Sequence, residues 1–410
     1  MRHVTLTTWE SGFEWVPLAP VSYADPHAPD HVATTFQARS WESPVVASSF
    51  PGRELVPSWN ARTPTAAWLL IEARVDSDLG WTPWFTVARW AEHDLRSPGV
   101  AGRASTGVAQ QAPASATADP APEVSGVVTR TTLPGQDFEA GRVVTDTYRS
   151  APHHPFSNWQ LRVTALTTKD QPTDDDWPKV SLVAGMVSAF DGSDDEPPHS
   201  PSSRTSRELA VPPLSQRLHA DTYPDWDSGG QTWCSPTSTT MLLSYWGLEP
   251  SAAESAWVGH DTDPAVVHAV RHVFDPAYGG AGNWAFNTAY AATRGLRAYV
   301  TRLRDLTEAE QFIAAGIPLA VSVSFEADEL DGAGYGTAGH LLTVIGFTEG
   351  GDVISNDPSS HEIPDNTEVR AVYHRDQFER AWLRGSQGLT YVMHPPHVAL
   401  PTPPDERNWA

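Results

Sequence analysis

From the first residue to about Phe190 the apolar positions recur every second residue, in short runs broken by proline and glycine. Leu69, Ile71, Ala73 and Val75 alternate with Leu70, Glu72 and Arg74, and Trp159, Leu161, Val163 and Ala165 alternate with Gln160, Arg162 and Thr164. A period of two sends successive side chains to opposite faces, so these runs predict β-strands with one buried face. No stretch of this half carries the spacing of an amphipathic helix. The pattern reads as an antiparallel β-sandwich of jelly-roll type.

From about Leu209 the texture is mixed. Residues 237–246 form a helical run stopped by Gly247, with Met241, Leu242, Tyr245 and Trp246 expected on one buried face. Helical stretches follow near 264–273, at 283–294 before Gly295, and at 307–315, where Thr307 and Glu310 stand in capping-box spacing and Gly316 is the stop. Strands then dominate, at 319–325, 340–347, 353–356, 369–373 and 389–393, with a short helix around 377–383. Helices first and antiparallel strands later is an α+β order.

Composition shifts mark the boundaries. An Ala/Ser/Pro/Gln/Gly-rich run at 97–126 reads as a long disordered loop inside the first domain, because β-pattern resumes at Val127 and continues through Val143, Val144 and Tyr148. The acidic, then Pro/Ser-rich stretch 191–208 reads as a linker; its acidic run lacks the closing glutamate of a calcium loop. The expected division is a β domain at 1–190, a second domain at 209–397 and a tail at 398–410.

The formal charge of −23, with Lys169 and Lys179 the only lysines, argues against nucleic acid and anionic membrane surfaces as partners. The first 30 residues contain Trp9, Glu10 and Glu14 and lack a basic start followed by an apolar run, so they do not read as a secretory signal. No apolar run approaches the ~18 residues of a membrane span. The default is a soluble, cytoplasmic protein, with export left open. Ten of the 17 tryptophans fall in the first half, including Trp81, Trp84 and Trp90 beside Phe85. Core packing is the main use expected for them, and contact with carbohydrate, whose rings stack on flat aromatics, is the second.

The candidate chemistry centres on residues 229–237, GGQTWCSPT, which hold the only cysteine. An intramolecular disulfide is therefore impossible. Pro236 fits only the first turn of a helix, which places Cys234 at the helix N-terminus. There the free backbone N–H groups and the helix dipole favour thiolate and can also bind an oxyanion.

Such a nucleophile needs a base and a group to orient it. Among 16 histidines, His340 follows Gly339 and opens an apolar strand, at a strand end rather than in the core. The turn at 348–351 returns the next strand antiparallel, bringing Asn356 and Asp357 to the level of His340 within a rung. Side chains alternate, so one of the two faces the imidazole, and periodicity does not choose between them. His153, His154, His260, His268, His272, His361 and His374 are decoys; His268 and His272 are four apart but lack a third ligand, and no metal or cofactor is expected.

Cys234-Ser235-Pro236-Thr237-Ser238 with Tyr245-Trp246-Gly247, then Gly339-His340, then Asp357-Pro358, resembles the papain-like cysteine peptidases related to bacteriocin-leader-processing enzymes. Residues 211–216, VPPLSQ, are similar to their lead-in. The resemblance spans about 209–397 and implies a papain-like fold with Cys234 as nucleophile, His340 as general base and acid, Asp357 as orienter and Gln216 as oxyanion donor. Ser235 stands where such enzymes commonly have glycine, and Gln216 lies far upstream, so Gln231 is a rival donor. The function implied is cleavage of an amide bond in a peptide or other amide substrate through an acyl-thioester. Acyl transfer at the same site, and non-catalytic binding of peptide or carbohydrate, are the alternatives.

Overall fold

The computed structural model describes residues 2–28, 32–94, 126–190, 199–204, 206–258 and 262–410. The loop expected at 97–126, apart from Gly126, lies outside them, as do the acidic run 191–196 and His260.

The first region is all-β. Its strands are β1 (Arg2–Trp9), β2 (Val16–Ala24), β3 (Ala33–Glu42), β4 (Val46–Gly52), β5 (Glu54–Arg62), β6 (Ala67–Ser77), β7 (Gly80–Trp81), β8 (Phe85–Trp90), β9 (Asp137–Phe138), β10 (Gly141–Val144), β11 (Thr147–Ser150), β12 (Phe156–Thr167) and β13 (Lys179–Phe190). They form two antiparallel sheets, β1-β13-β5-β11-β10-β9 and β2-β3-β12-β6-β7, with β4 on β12 and β8 on β6. The inward residues of β12 meet the other sheet. The Trp159 ring lies so close over Gly185 of β13 that a Cβ there would sit 2.4 Å from it, and Trp9 packs edge-on against Trp159 at 5.8 Å.

The outward residues account for Trp81 and Trp84. Glu72 on β6 is buried under Arg162 of β12, at 2.6 Å. Arg162 and Arg74 each stand 4.4 Å from the Trp84 ring centre, and Arg74 is also 4.7 Å from that of Trp81. Guanidinium groups thus occupy these rings, a cation–π arrangement that also shields the Glu72–Arg162 pair.

The second region mixes helices and strands: β14 (Arg207–Glu208), α1 (Cys234–Tyr245), α2 (Pro264–Val273), α3 (Trp284–Thr293), β15 (Arg297–Arg302), α4 (Leu306–Ala314), β16 (Leu319–Phe325), β17 (Thr337–Phe347), β18 (Val353–Asn356), β19 (Arg370–Tyr373), α5 (Arg375–Ser386) and β20 (Leu389–His394). One antiparallel sheet runs β15-β20-β16-β17-β18-β19, with β14 on β17. Helix α1 packs on β17 and β16, and α5 on β16.

Three details differ from expectation. Helix α1 has no single buried face: every residue from Ser235 to Leu243 is buried, while Tyr245 and Trp246 are only partly so. Helix α4 is capped by Asp305, whose side chain accepts the Glu308 N–H, and not by Thr307. Strand β17 begins three residues before His340, which pairs with Val323 inside the sheet rather than at its end.

The two regions share one continuous apolar core. Strand β15, absent from the sequence reading, lies against β5: the Asn60 side chain accepts from the Ala298 N–H at 3.1 Å and donates to its carbonyl at 2.6 Å, and Ser58 Oγ accepts from the Val300 N–H at 2.9 Å. Asp275, fully buried, accepts hydrogen bonds from Thr131 and Thr132 of the first region. Residues 398–410 return to the first strand. The Leu6 N–H donates to Arg407 O at 2.8 Å, and Trp409 is buried edge-on against Phe312. Among the described residues no helix is long and apolar enough to cross a membrane.

Candidate active site

Cys234 is the first residue of α1, half-buried, preceded by Trp233, whose indole N–H donates to Trp226 O at 2.7 Å. The helix is fixed by its own small hydroxyls. Thr237 Oγ1 donates to Trp233 O at 2.7 Å, and Ser238 Oγ donates to Leu341 O at 3.0 Å, which ties the helix to β17 one residue beyond His340. Ser235 Oγ and the Tyr391 hydroxyl lie 2.9 Å apart. Serine thus finds a partner at the position where glycine is common among the enzymes the chain resembles.

His340 is buried, with Nε2 2.9 Å from Asp357 Oδ1, and its ring stands beside the Cys234 thiol, whose charge it couples to. Because Nε2 is engaged by Asp357, the nitrogen left for the sulfur is Nδ1. Asp357 is fully buried and well supplied with donors: Oδ1 also accepts from the Ser359 N–H at 2.9 Å, and Oδ2 accepts from the hydroxyls of Tyr335 at 2.8 Å and Tyr373 at 2.7 Å. Asn356 faces away, donating to Val211 O at 3.0 Å. Its register explains the division: Asn356 pairs with Thr343, so Asp357 is the diagonal neighbour that reaches back to His340.

Electrostatics follow from this packing. Burial pushes the Cys234 thiol up, but the His340 charge and hydrogen bond, with the N–H groups of Leu341 and Ser235, hold it below its ordinary value. Burial pulls His340 down, yet Asp357 and the Cys234 sulfur raise it to about 10. Burial also raises Asp357, and the His340 charge and the surrounding donors bring it below the usual carboxylate range. Each shift favours a charged thiolate–imidazolium–carboxylate row.

Gln216 opens a short 3₁₀ turn, Gln216–His219, and is buried in the cleft wall. Its backbone N–H donates to Pro358 O and its side chain to Gln231 O, both at 2.9 Å. The turn lies against Gly230, where a Cβ would be 2.3 Å from Gln216 O, so only glycine permits the approach. The Gln231 side chain is exposed and accepts from Arg217. The structure therefore brings Cys234, His340, Asp357 and Gln216 to one place.

Four of the other candidate histidines, His268, His272, His154 and His374, are engaged elsewhere. His268 and His272 stack at 4.0 Å, and His268 Nδ1 lies 3.0 Å from the Tyr290 hydroxyl. Burial lowers both, His268 to about 4. His154 pairs with Asp78 at 2.8 Å, and His374 faces Asp352 at 3.7 Å.

Sequence reasoning missed Tyr335 and Tyr373. The only signal was a tyrosine in the glycine-rich loop before β17 and another at the end of β19, and neither is periodic. It also missed that the first region contributes to the cleft. The cavity of about 700 Å³ beside Cys234 is lined by Trp284 and Tyr278, and by Glu54 and Arg149 of the β region. Asp146 of that region accepts from the Trp284 N–H at 2.7 Å, holding the start of α3.

Comparison with known proteins places this architecture. Residues 208–389 match the Peptidase_C39 like family, and residues 7–119 and 116–188 match the Peptidase C39 N-terminal domain. The mixed region thus carries a Peptidase_C39 like domain, and the β region ahead of it a Peptidase C39 N-terminal domain. The crystal structure of a C39-like peptidase candidate from Bacillus anthracis is 18% identical, covering 46% of this chain and 98% of that one at a TM-score of 0.28. No curated protein matches the chain. The family points to a cysteine peptidase.

Proposed function

We propose that the protein is a cysteine hydrolase that cleaves an amide bond in a peptide substrate through an acyl-thioester on Cys234. The observation that carries this is the row in which Asp357 holds Nε2 of His340 at 2.9 Å, on the cleft wall that also bears the only thiol of the chain.

The thiolate attacks the substrate carbonyl, whose developing oxyanion is met by the Cys234 N–H at the helix terminus and by the Gln216 amide. His340, carrying the proton taken from the thiol, gives it to the leaving amine as the tetrahedral intermediate collapses to the thioester. It then takes a proton from the attacking water, and the second collapse releases the acid and returns thiolate and imidazolium. Asp357 fixes the ring orientation and keeps it protonated between turnovers. The tyrosines on Oδ2 and the Ser359 N–H orient Asp357 itself. In this reading the first two sheets are a jelly-roll sandwich over 1–190, and 209–397 is a papain-like unit.

The test is the rate of Cys234 alkylation by iodoacetamide as a function of pH. A thiol reacting well below its ordinary titration, and returning to that titration in His340→Ala, is the expected result. Ordinary titration in the native protein, unchanged by His340→Ala, would sink the reading.

A further inference from the structure

The β region places a charged cluster in the cleft that the thiol chemistry does not use. The Glu54 carboxylate is 3.0 Å from Arg149 Nε and 2.5 Å from the Arg302 guanidinium. One negative charge thus stands between two positive ones, and all three side chains line the cleft that contains Cys234. Arg302 is 2% exposed, and its Nε is a buried donor without a hydrogen-bond partner. A buried cation with an unpaired donor is costly unless an anion meets it. Arg149 is 47% exposed, open to the cleft. In a chain of net charge −23, a wall with surplus positive charge is out of character.

The sheet gives the span between Arg302 and His340, the histidine beside the thiol. Leu341, next to His340, pairs with Ser322, and Leu389 pairs with Arg302. The Val321–Thr390 pair puts Ser322 and Leu389 on adjoining positions, so Arg302 lies on nearly the same rung as His340, three strands away. At ~4.8 Å between strands that is ~14 Å, the reach of about four extended residues.

We propose that Arg149 and Arg302, with Glu54 as resident counter-ion, form a subsite for a carboxylate of the substrate about four residues from the scissile bond. The proposal rests on the hydrolase reading for the position of that bond. The carboxylate is either an Asp or Glu side chain or a free chain end. Arg149 supplies the accessible fork, and Arg302 the fixed charge behind it.

The test uses the full-length protein and three pools of short peptides: amidated peptides with Asp or Glu at each position in turn, peptides with Asn or Gln there and a free C-terminal carboxylate, and amidated Asn/Gln peptides with no carboxylate. Cleavage is followed by mass spectrometry. Protection of Cys234 from iodoacetamide is followed in parallel, since it needs no turnover. The expected result is at least a tenfold preference for one carboxylate pool over the neutral pool, lost in Arg149→Ala and kept in Lys169→Ala, which makes the same charge change on an exposed site elsewhere. The favoured pool tells side chain from chain end.

Protection by the carboxylate peptides without cleavage keeps the subsite and overturns the hydrolase reading. Cleavage without a carboxylate preference, or with a preference that Arg149→Ala leaves intact, overturns the subsite alone. Neither protection nor cleavage by any pool overturns both.

Discussion

At the scale of single residues the decisive feature is the competition between burial and charge around His340. Burial alone would make its ring a weak base; Asp357 and the sulfur reverse this and hold the proton to about pH 10. Activity should rise as the thiol ionises, below its ordinary value, and fall as the imidazolium is lost near that upper limit. Asp357→Asn removes the charge that sustains the upper limb. The falling limb should then move to lower pH and turnover should drop on the order of 10²- to 10⁴-fold, as read from the pH–rate profile. The same shift has a stability consequence. A folded value raised above the unfolded 6.5 contributes stability that is complete below about 6.5 and disappears as pH climbs through about 10. Urea denaturation across that window should show the decline in the native protein and a flatter profile in His340→Ala.

At the scale of elements two glycines set how closely pieces approach. Gly185→Ala would drive a methyl into the Trp159 ring, and the overpacking should cost ~1–3 kcal/mol by chemical denaturation. Gly230→Ala would push the Gln216 turn away from the loop before Cys234. We expect turnover to fall with Cys234 alkylation nearly unchanged, because the oxyanion donor moves and the thiol does not. Much of this level was legible beforehand. The helix Pro264–Val273 and the strands Leu319–Phe325 and Val353–Asn356 have their expected limits, since apolar period and punctuation agree there. Cys234, His340 and the Asn356/Asp357 pair were legible as a set because a helix start, a strand and a hairpin bring them together. The choice of Asp357 came from the resemblance and not from periodicity, for it depends on a register that pairs Asn356 with Thr343. Strand β15 escaped notice because Arg297–Arg302 is polar at both ends, and those polar groups find partners only in other parts of the fold, Arg302 pairing through one guanidinium nitrogen with Glu54. Tyr335 and Tyr373 were illegible for a related reason: a hydroxyl's partner is a tertiary fact.

At the scale of the whole molecule the β region and the peptidase-like region form one body around the cleft. Asp146 and Asp275 hold the wall that carries Trp284 and Tyr278, so the first region shapes the site as well as bordering it. The last residues secure this body. Trp409→Ala should cost ~3–5 kcal/mol, read as a lower denaturation midpoint, because a fully buried indole leaves a cavity against Phe312. The hydrogen bond from Leu6 to Arg407 carries a further consequence, for synthesis. β1 is the outermost strand of its sheet, and its free side is met by a segment some 400 residues later in the chain. A nascent polypeptide leaving the ribosome must therefore keep that strand edge exposed while some 400 further residues are made, and the edge is covered only after Arg407 has emerged.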